Sequence, residues 1–181
     1  MKTVINLQSG GRFLELKSGE PDGTVLEGFT ICGGNASGGA AVKVSQANLT
    51  VRNCVFRDNW VPDTAAFYID CGKVELINCL FADNAEATWH RGGALSITSS
   101  AEADVTNCTF TQDPQVNSTI INNAGILKLT NSIVKGNISG NTPVVNYSCT
   151  SNDYTASGLG NLHGNHGITP AGYLLPDSQC I

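Results

Sequence analysis

The side chains with the greatest chemical reach in this 181-residue chain fall in two short segments. One holds Trp60, Pro62 and Asp63; the other, around ATWHRGG, holds Glu86, Trp89, His90 and Arg91. An indole can lie against a sugar ring, and an imidazole or guanidinium beside it can hold a carboxylate. Two indoles flanked by charge have the composition of a recognition surface. Trp60, Asp63, Trp89, His90 and Arg91 are therefore the candidate ligand-binding residues. The plainer alternative is an exposed loop whose Trp89 packs on the Trp60 segment. Asp58 and Asp83 each stand five residues after an equivalent asparagine, Asn53 and Asn78. Stacked one strand apart, two carboxylates repel, and a shared calcium ion would relieve them. Two solvated aspartates need no ion, and Gln112 and Gly136 occupy the next two equivalents, so no metal or other cofactor is expected. His163 and His166 have ligand-like spacing but no further ligands near them. No Ser-His-Asp order, phosphate loop or nucleotide fingerprint occurs, so no catalytic residue is assigned.

Composition narrows the classes. Charged residues make up 14% and hydrophobic residues 41%, a balance that folds and is not that of a disordered chain. A net charge of −5 gives no basic footprint, so nucleic acid and anionic membranes are poor partners. No apolar run approaches the roughly 18 residues of a membrane span, so no direct insertion is expected. MKTVINLQSGG lacks the apolar core and cleavage site of a signal peptide. Seven cysteines cannot all pair within one chain, and none has the CxxC spacing of a zinc knuckle.

The elements that position these residues come from a phrase the chain repeats. Leu49–Asn59 reads LTVRNCVFRDN, Val74–Asn84 VELINCLFADN, Ala103–Asp113 ADVTNCTFTQD and Leu127–Asn137 LKLTNSIVKGN. Val25–Gly34, VLEGFTICGG, is a looser copy with Gly28 at the asparagine position. Anchors at Gly28, Asn53, Asn78, Asn107 and Asn131 are 25, 25, 29 and 24 residues apart. A β-type repeat of about 25 residues marks a β-solenoid. The reading is all-β: a parallel β-helix of about six coils with an irregular C-terminal cap. Residues 1–181 form a single domain, with a lead-in segment at 1–11, repeat coils at 12–147 and the cap at 148–181. Open solenoid ends expose strand edges, so the chain is expected to be part of a longer protein.

Each coil opens on a short apolar strand: Ala41–Val44, Ala66–Ile69, Ala94–Ile97, Thr119–Asn122 and Val144–Tyr147. Strands of three to five residues are expected, broken at the anchor, where Asn tolerates left-handed backbone and can stack amide on amide. Asn53, Asn78, Asn107 and Asn131 are thus read as a structural ladder. Asn107, although it begins an Asn-Cys-Thr glycosylation signal, is expected to be buried. Cys54, Cys79 and Cys108 follow three anchors and should fill one repeated core slot as small thiols, although the strand spacing would also admit a disulfide between two of them. Phe56, Phe81 and Phe110 should stack as the core column. The insertions after each motif, rather than the monotonous strand faces, should carry the distinctive chemistry.

These phrases resemble the right-handed parallel β-helix proteins of the pectate-lyase-like superfamily, and among them the surface repeats of polymorphic outer-membrane proteins. Those pair a Gly-Gly-Ala/Ile opener with an Asn-Cys/Ser-x-Phe-x-x-Asn closer. Here the openers are Gly38-Gly39-Ala40 and Gly92-Gly93-Ala94, and the closers Asn53–Asn59 and Asn78–Asn84. Ala65-Ala66 replaces one opener pair, and Ser132 and Val134 replace Cys and Phe in the last closer. The resemblance implies the fold and leaves two functions open. One is a non-catalytic extracellular or cell-surface module of a larger protein, a rigid scaffold for adhesion that binds a polysaccharide, a glycoprotein or neighbouring subunits. The other is a carbohydrate-active enzyme, a polysaccharide lyase or glycoside hydrolase, or a fragment of one. The expected lack of a convergent charged cluster favours the first.

Overall fold

The computed structural model describes residues 3–61, 64–86, 91–111, 119–151 and 158–164, with the backbone alone at 61, 85–86 and 91–92. Every strand pairing is parallel, and the described residues contain no helix. Each coil contributes one strand to each of three faces. The first face holds Leu14–Leu16, Val42–Val44, the starts of Phe67–Ile77 and Arg91–Thr106, then Thr119–Asn123 and Asn137–Gly140. The second holds Val25–Glu27, Leu49–Arg52, the ends of the same two long strands, then Ile126–Thr130 and Val144–Asn146. The third runs through Thr3–Asn6, Phe29–Cys32, Val55–Arg57, Leu80–Ala82, Thr109–Phe110, Ile133–Val134, Cys149–Thr150 and Leu162–His163. Six rungs on each of the first two faces span about five full turns, the all-β parallel solenoid read from the repeat.

The anchor makes the sharp corner between the second and third faces. Asn53, Asn78, Asn107 and Asn131 have φ of 54°, 54°, 53° and 49°, and Gly28 and Tyr147 hold the same place at 80° and 49°. Left-handed backbone costs an ordinary residue about 1–2 kcal/mol, and Asn offsets this through local hydrogen bonds. Asn78 Nδ2 donates to Asn53 Oδ1 at 3.4 Å, Asn131 Nδ2 to Asn107 Oδ1 at 2.5 Å, and Asn53 Nδ2 to Glu27 Oε1 at 3.0 Å. All four anchors are exposed, which corrects the burial expected for Asn107: a left-handed residue at an outward corner projects its side chain to solvent. Asn78→Gly should therefore leave stability nearly unchanged, whereas Asn78→Val should lower it by about 1–2 kcal/mol in urea melts, because only the second pays the left-handed penalty.

The next residue turns inward. Cys54, Cys79 and Cys108 are buried free thiols, and Ser132 and Ser148 continue their column. The corner lifts each following N–H off its neighbouring strand, and the side chain one coil onward accepts it. Cys79 N donates to Cys108 Sγ at 3.4 Å, Cys108 N to Ser132 Oγ at 3.1 Å and Ser132 N to Ser148 Oγ at 3.1 Å. Burial and the hydrogen bond with Cys108 hold the Cys79 thiol well above its ordinary pKa, with the hydrogen bond the larger cause. A thiol so held is poorly nucleophilic. Cys149 is disulfide-bonded.

Inside, Phe56, Phe81 and Phe110 are fully buried and stacked, with ring centroids 4.8 and 4.7 Å apart and planes within 17° and 8°. Phe67 meets Phe56 edge-on at 5.5 Å. Val51, Leu76, Val105, Leu129 and Val145 line the opposing wall from the second face.

Three parts of the reading are corrected. Phe67–Ile77 and Arg91–Thr106, of 11 and 16 residues, carry the backbone around the corner between the first two faces without a break, where short strands were expected. Val144–Asn146 is not a coil opener. It pairs with Lys128–Thr130 on the second face, Tyr147 takes the anchor position, and Asn137–Gly140 opens that coil. The coil from Asn131 to Tyr147 uses 16 residues instead of about 25, which displaced the periodic reading. Strands also occur in both terminal segments: Thr3–Asn6 pairs with Phe29–Cys32, and the third face runs on to Leu162–His163.

Candidate glycan-binding face

Trp60 is half exposed. It lies in the strand Trp60–Val61, which pairs with Ala85–Glu86, and its backbone N–H donates to Gly34 O at 2.8 Å. Asp63, Trp89 and His90 lie outside the described residues. Arg91 begins its strand and pairs with Thr119 through the backbone. The described strands on either side of the two insertions thus lie on neighbouring rungs of one small sheet and on neighbouring rungs of the first face.

Asp58 and Asp83 have φ of 53° and 50° and follow Gly33, at 68°, in one column of left-handed corners. Aspartate tolerates that conformation as asparagine does, a backbone reason for the residue type. Asp58 is exposed and ion-paired with its neighbour Arg57; Asp83 is half-buried. Among the described residues no three His, Cys, Asp or Glu side chains group as metal ligands. His163 ends the strand Leu162–His163, and His166 lies outside the described residues.

The residues after Asp58 and Asp83, the last of each closer, form a second ladder. Asn59 and Asn84 are 1% and 3% exposed. Asn84 Oδ1 accepts from Asn59 Nδ2 at 2.9 Å and from Asn59 N at 3.3 Å, and Asn59 Oδ1 accepts from Gly34 N at 3.0 Å. The Asn84 amide also donates to Phe56 O at 2.9 Å and the Asn59 amide to Ile31 O at 3.2 Å. This buried ladder fixes the corner from which both insertions depart.

Outward on the first face, Glu15, Lys43, Tyr68, Ser96, Asn122 and Ser139 stand in one row, a residue per rung. Arg12 pairs with Glu15 at 3.0 Å and donates to the carbonyls of Ser37, Gly38 and Gly39 at 2.5, 3.1 and 2.6 Å, pinning the glycine loop before the strand Val42–Val44. A side chain at Gly39, whose φ is 99°, would strike Val42 O at 2.3 Å and crowd Tyr68 Cβ at 3.1 Å. The opener glycines thus leave room beside the Tyr68 ring. A groove of about 350 Å³ runs past it, lined by Thr64, Tyr68, Ser96, Ile97, Thr98, Ser99, Asn122 and Ala124. Among the described residues the lining combines one aromatic ring with hydroxyls and an amide, and holds no carboxylate or imidazole.

The second face carries the charge. Lys73 Nζ lies 2.7 Å from Asp104 and 3.8 Å from Glu102, and Lys128 Nζ lies 2.5 Å from Glu102 and 3.4 Å from Asp104. Glu75 stands beside Asp104 on the next rung. This corrects both the expected monotony of the strand faces and the expected lack of a charged cluster. The signal was in the repeat: Thr50, Glu75, Asp104 and Lys128 each stand three residues before an anchor. Hydrogen bonds and attraction to Asp104 and Glu102 raise the pKa of both lysines above the ordinary lysine value. Both are thus fixed cations near neutral pH and poor general bases.

The stacked parallel rungs and inward-facing columns described above are those of a known family. No curated protein and no solved structure matches the chain. A family model described as "Right handed beta helix region" matches residues 3–159, most of the chain, in agreement with the likeness to the pectate-lyase-like superfamily. The chain belongs to the right-handed β-helix family.

Proposed function

We propose that this β-helix is a non-catalytic binding module, a rigid scaffold that presents its first face and the adjoining insertions to a polysaccharide or glycoprotein. One observation carries the reading: the Tyr68 ring lines a groove whose other polar groups are hydroxyls and an amide. An aromatic face with neutral hydrogen-bonding groups suits a sugar ring, and among the described residues the lining supplies no acid or base to break it. Trp60, half exposed, stands on the neighbouring small sheet. We place the module at the cell surface or outside the cell, within a larger protein and open to contact with neighbouring subunits, because a rod of stacked coils holds such a face away from whatever carries it.

A second reading, a polysaccharide lyase or glycoside hydrolase, draws on the acids and lysines that converge on the second face. The raised pKa of both lysines weakens it, since a lyase needs a base that is free to take a proton. The test is a glycan array and a lyase and hydrolase panel on the wild type and on Tyr68→Ala. Binding of a glycan should weaken about three- to tenfold in the variant, the range of one aromatic contact. Turnover of any polysaccharide by the wild type would place the enzyme first.

A further inference from the structure

The second face has a groove of its own, distinct from the one beside Tyr68. One stretch of about 330 Å³ is lined by Asp22, Gly23, Thr24, Asn48, Leu49, Thr50, Lys73 and Glu75. Another, of about 420 Å³, is lined by Glu75, Ile77, Asp104, Thr106, Lys128 and Thr130, among others. Glu75 belongs to both, so it stands where they meet.

The carboxylates here are not equivalent. Glu102 and Asp104 are each shared by two ammonium groups. Asp22 accepts the Asn48 amide at 2.7 Å. Glu75 has only the Thr50 hydroxyl, at 3.4 Å, and no ion-pair partner among the described residues. It is half-buried and lies one rung from Asp104. Along the groove Asp22, Glu75 and Asp104, with Glu102 beside them on the same two ammonium groups, set four negative charges against the two of Lys73 and Lys128. The groove is short of cations, and Glu75 is the carboxylate that, among the described residues, has neither an ammonium nor an amide partner.

We propose that this groove binds a chain of sugars bearing free amino groups, with an ammonium seated on Glu75. Thr24, Thr50, Thr106, Thr130 and Asn48 are placed to take the hydroxyls. Thr50, Glu75, Asp104 and Lys128 present one polar group per rung, about 4.8 Å apart, to a linear polymer lying along the solenoid axis. A basic peptide fits the charge but not the surface. Extended peptides bind by adding to an open sheet edge, and the strands under this groove from Leu49–Arg52 to Ile126–Thr130 are already paired on both sides.

The experiment is calorimetric titration of the full chain with a glucosamine tetrasaccharide and with its N-acetylated counterpart, at a pH where the free amines are protonated. The amino form should bind at least tenfold more tightly, the scale of one charge-assisted hydrogen bond. Glu75→Gln, which keeps size and shape at a half-exposed position, should erase that difference. Tyr68→Ala should leave it intact, so failure here is separable from failure of the first-face reading. Absence of binding by the amino form, equal binding of the two sugars, or a preference that survives in Glu75→Gln would each overturn the proposal. So would a lysine-rich peptide that binds as tightly as the amino sugar and loses its affinity in Glu75→Gln.

Discussion

Phe81→Ala should destabilise the protein by about 3–5 kcal/mol, the range for removing a fully buried phenylalanine. The ring is the middle of the aromatic column, with Phe56 at 4.8 Å on one side and Phe110 at 4.7 Å on the other, and Phe67 meets it edge-on at 6.4 Å. Truncation removes two stacked contacts and opens a gap between coils. The neighbouring rungs cannot close it, because the parallel pairing of Leu80–Ala82 with both neighbours fixes their spacing. Phe110→Ala should cost less. Its far neighbour in register is Val134, so it loses one ring contact, and a smaller side chain lines its cavity. Urea melts of the two variants test the order as well as the size. A Phe81→Ala loss below about 1 kcal/mol would mean that the column is not the core, and a larger loss at Phe110 would mean that stacking does not set the scale.

The column was legible in the sequence because each of its phenylalanines stands three residues after an anchor, and a solenoid repeats what its coil requires. The left-handed anchors were legible for the same reason: Gly28 and the asparagines share a slot that only residues tolerant of positive φ fill cheaply. The charged face was harder to see. Lys73, Glu75, Glu102, Asp104 and Lys128 are scattered over more than fifty residues and meet only because 29- and 24-residue intervals bring them to adjacent rungs. Composition cannot reveal that, whereas counting offsets from the anchor can. The shortened coil before Tyr147 broke the count, so the strand at Val144 was read one face early. The groove beside Tyr68 was hidden in the sequence because its lining comes from three separate coils. The function of the insertions was drawn from residue types alone, and Trp60 is the one ring among them that the structure places.

Asn84→Leu should cost about 3 kcal/mol or more, although leucine is apolar and close in size. The change strips partners from groups that cannot reach water. Asn59 N and one Asn59 Nδ2 hydrogen lose their acceptor, and Phe56 O loses the Asn84 amide. A buried polar group left unpaired costs about 1–3 kcal/mol, more than the net worth of the bond it made. Asn59→Leu should be similarly severe, since Gly34 N and Ile31 O depend on it. The two losses should not add. The Asn59–Asn84 bond is broken in either single variant, so the double variant counts it once and should fall short of the sum by about 1 kcal/mol or more. Replacing both amides also removes the orphaned donor that makes Asn84→Leu costly. A double-mutant cycle from denaturant melts measures the shortfall directly. Additive losses would show two asparagines held independently by backbone, and the corner would then owe its shape to the left-handed Asp58 and Asp83 alone.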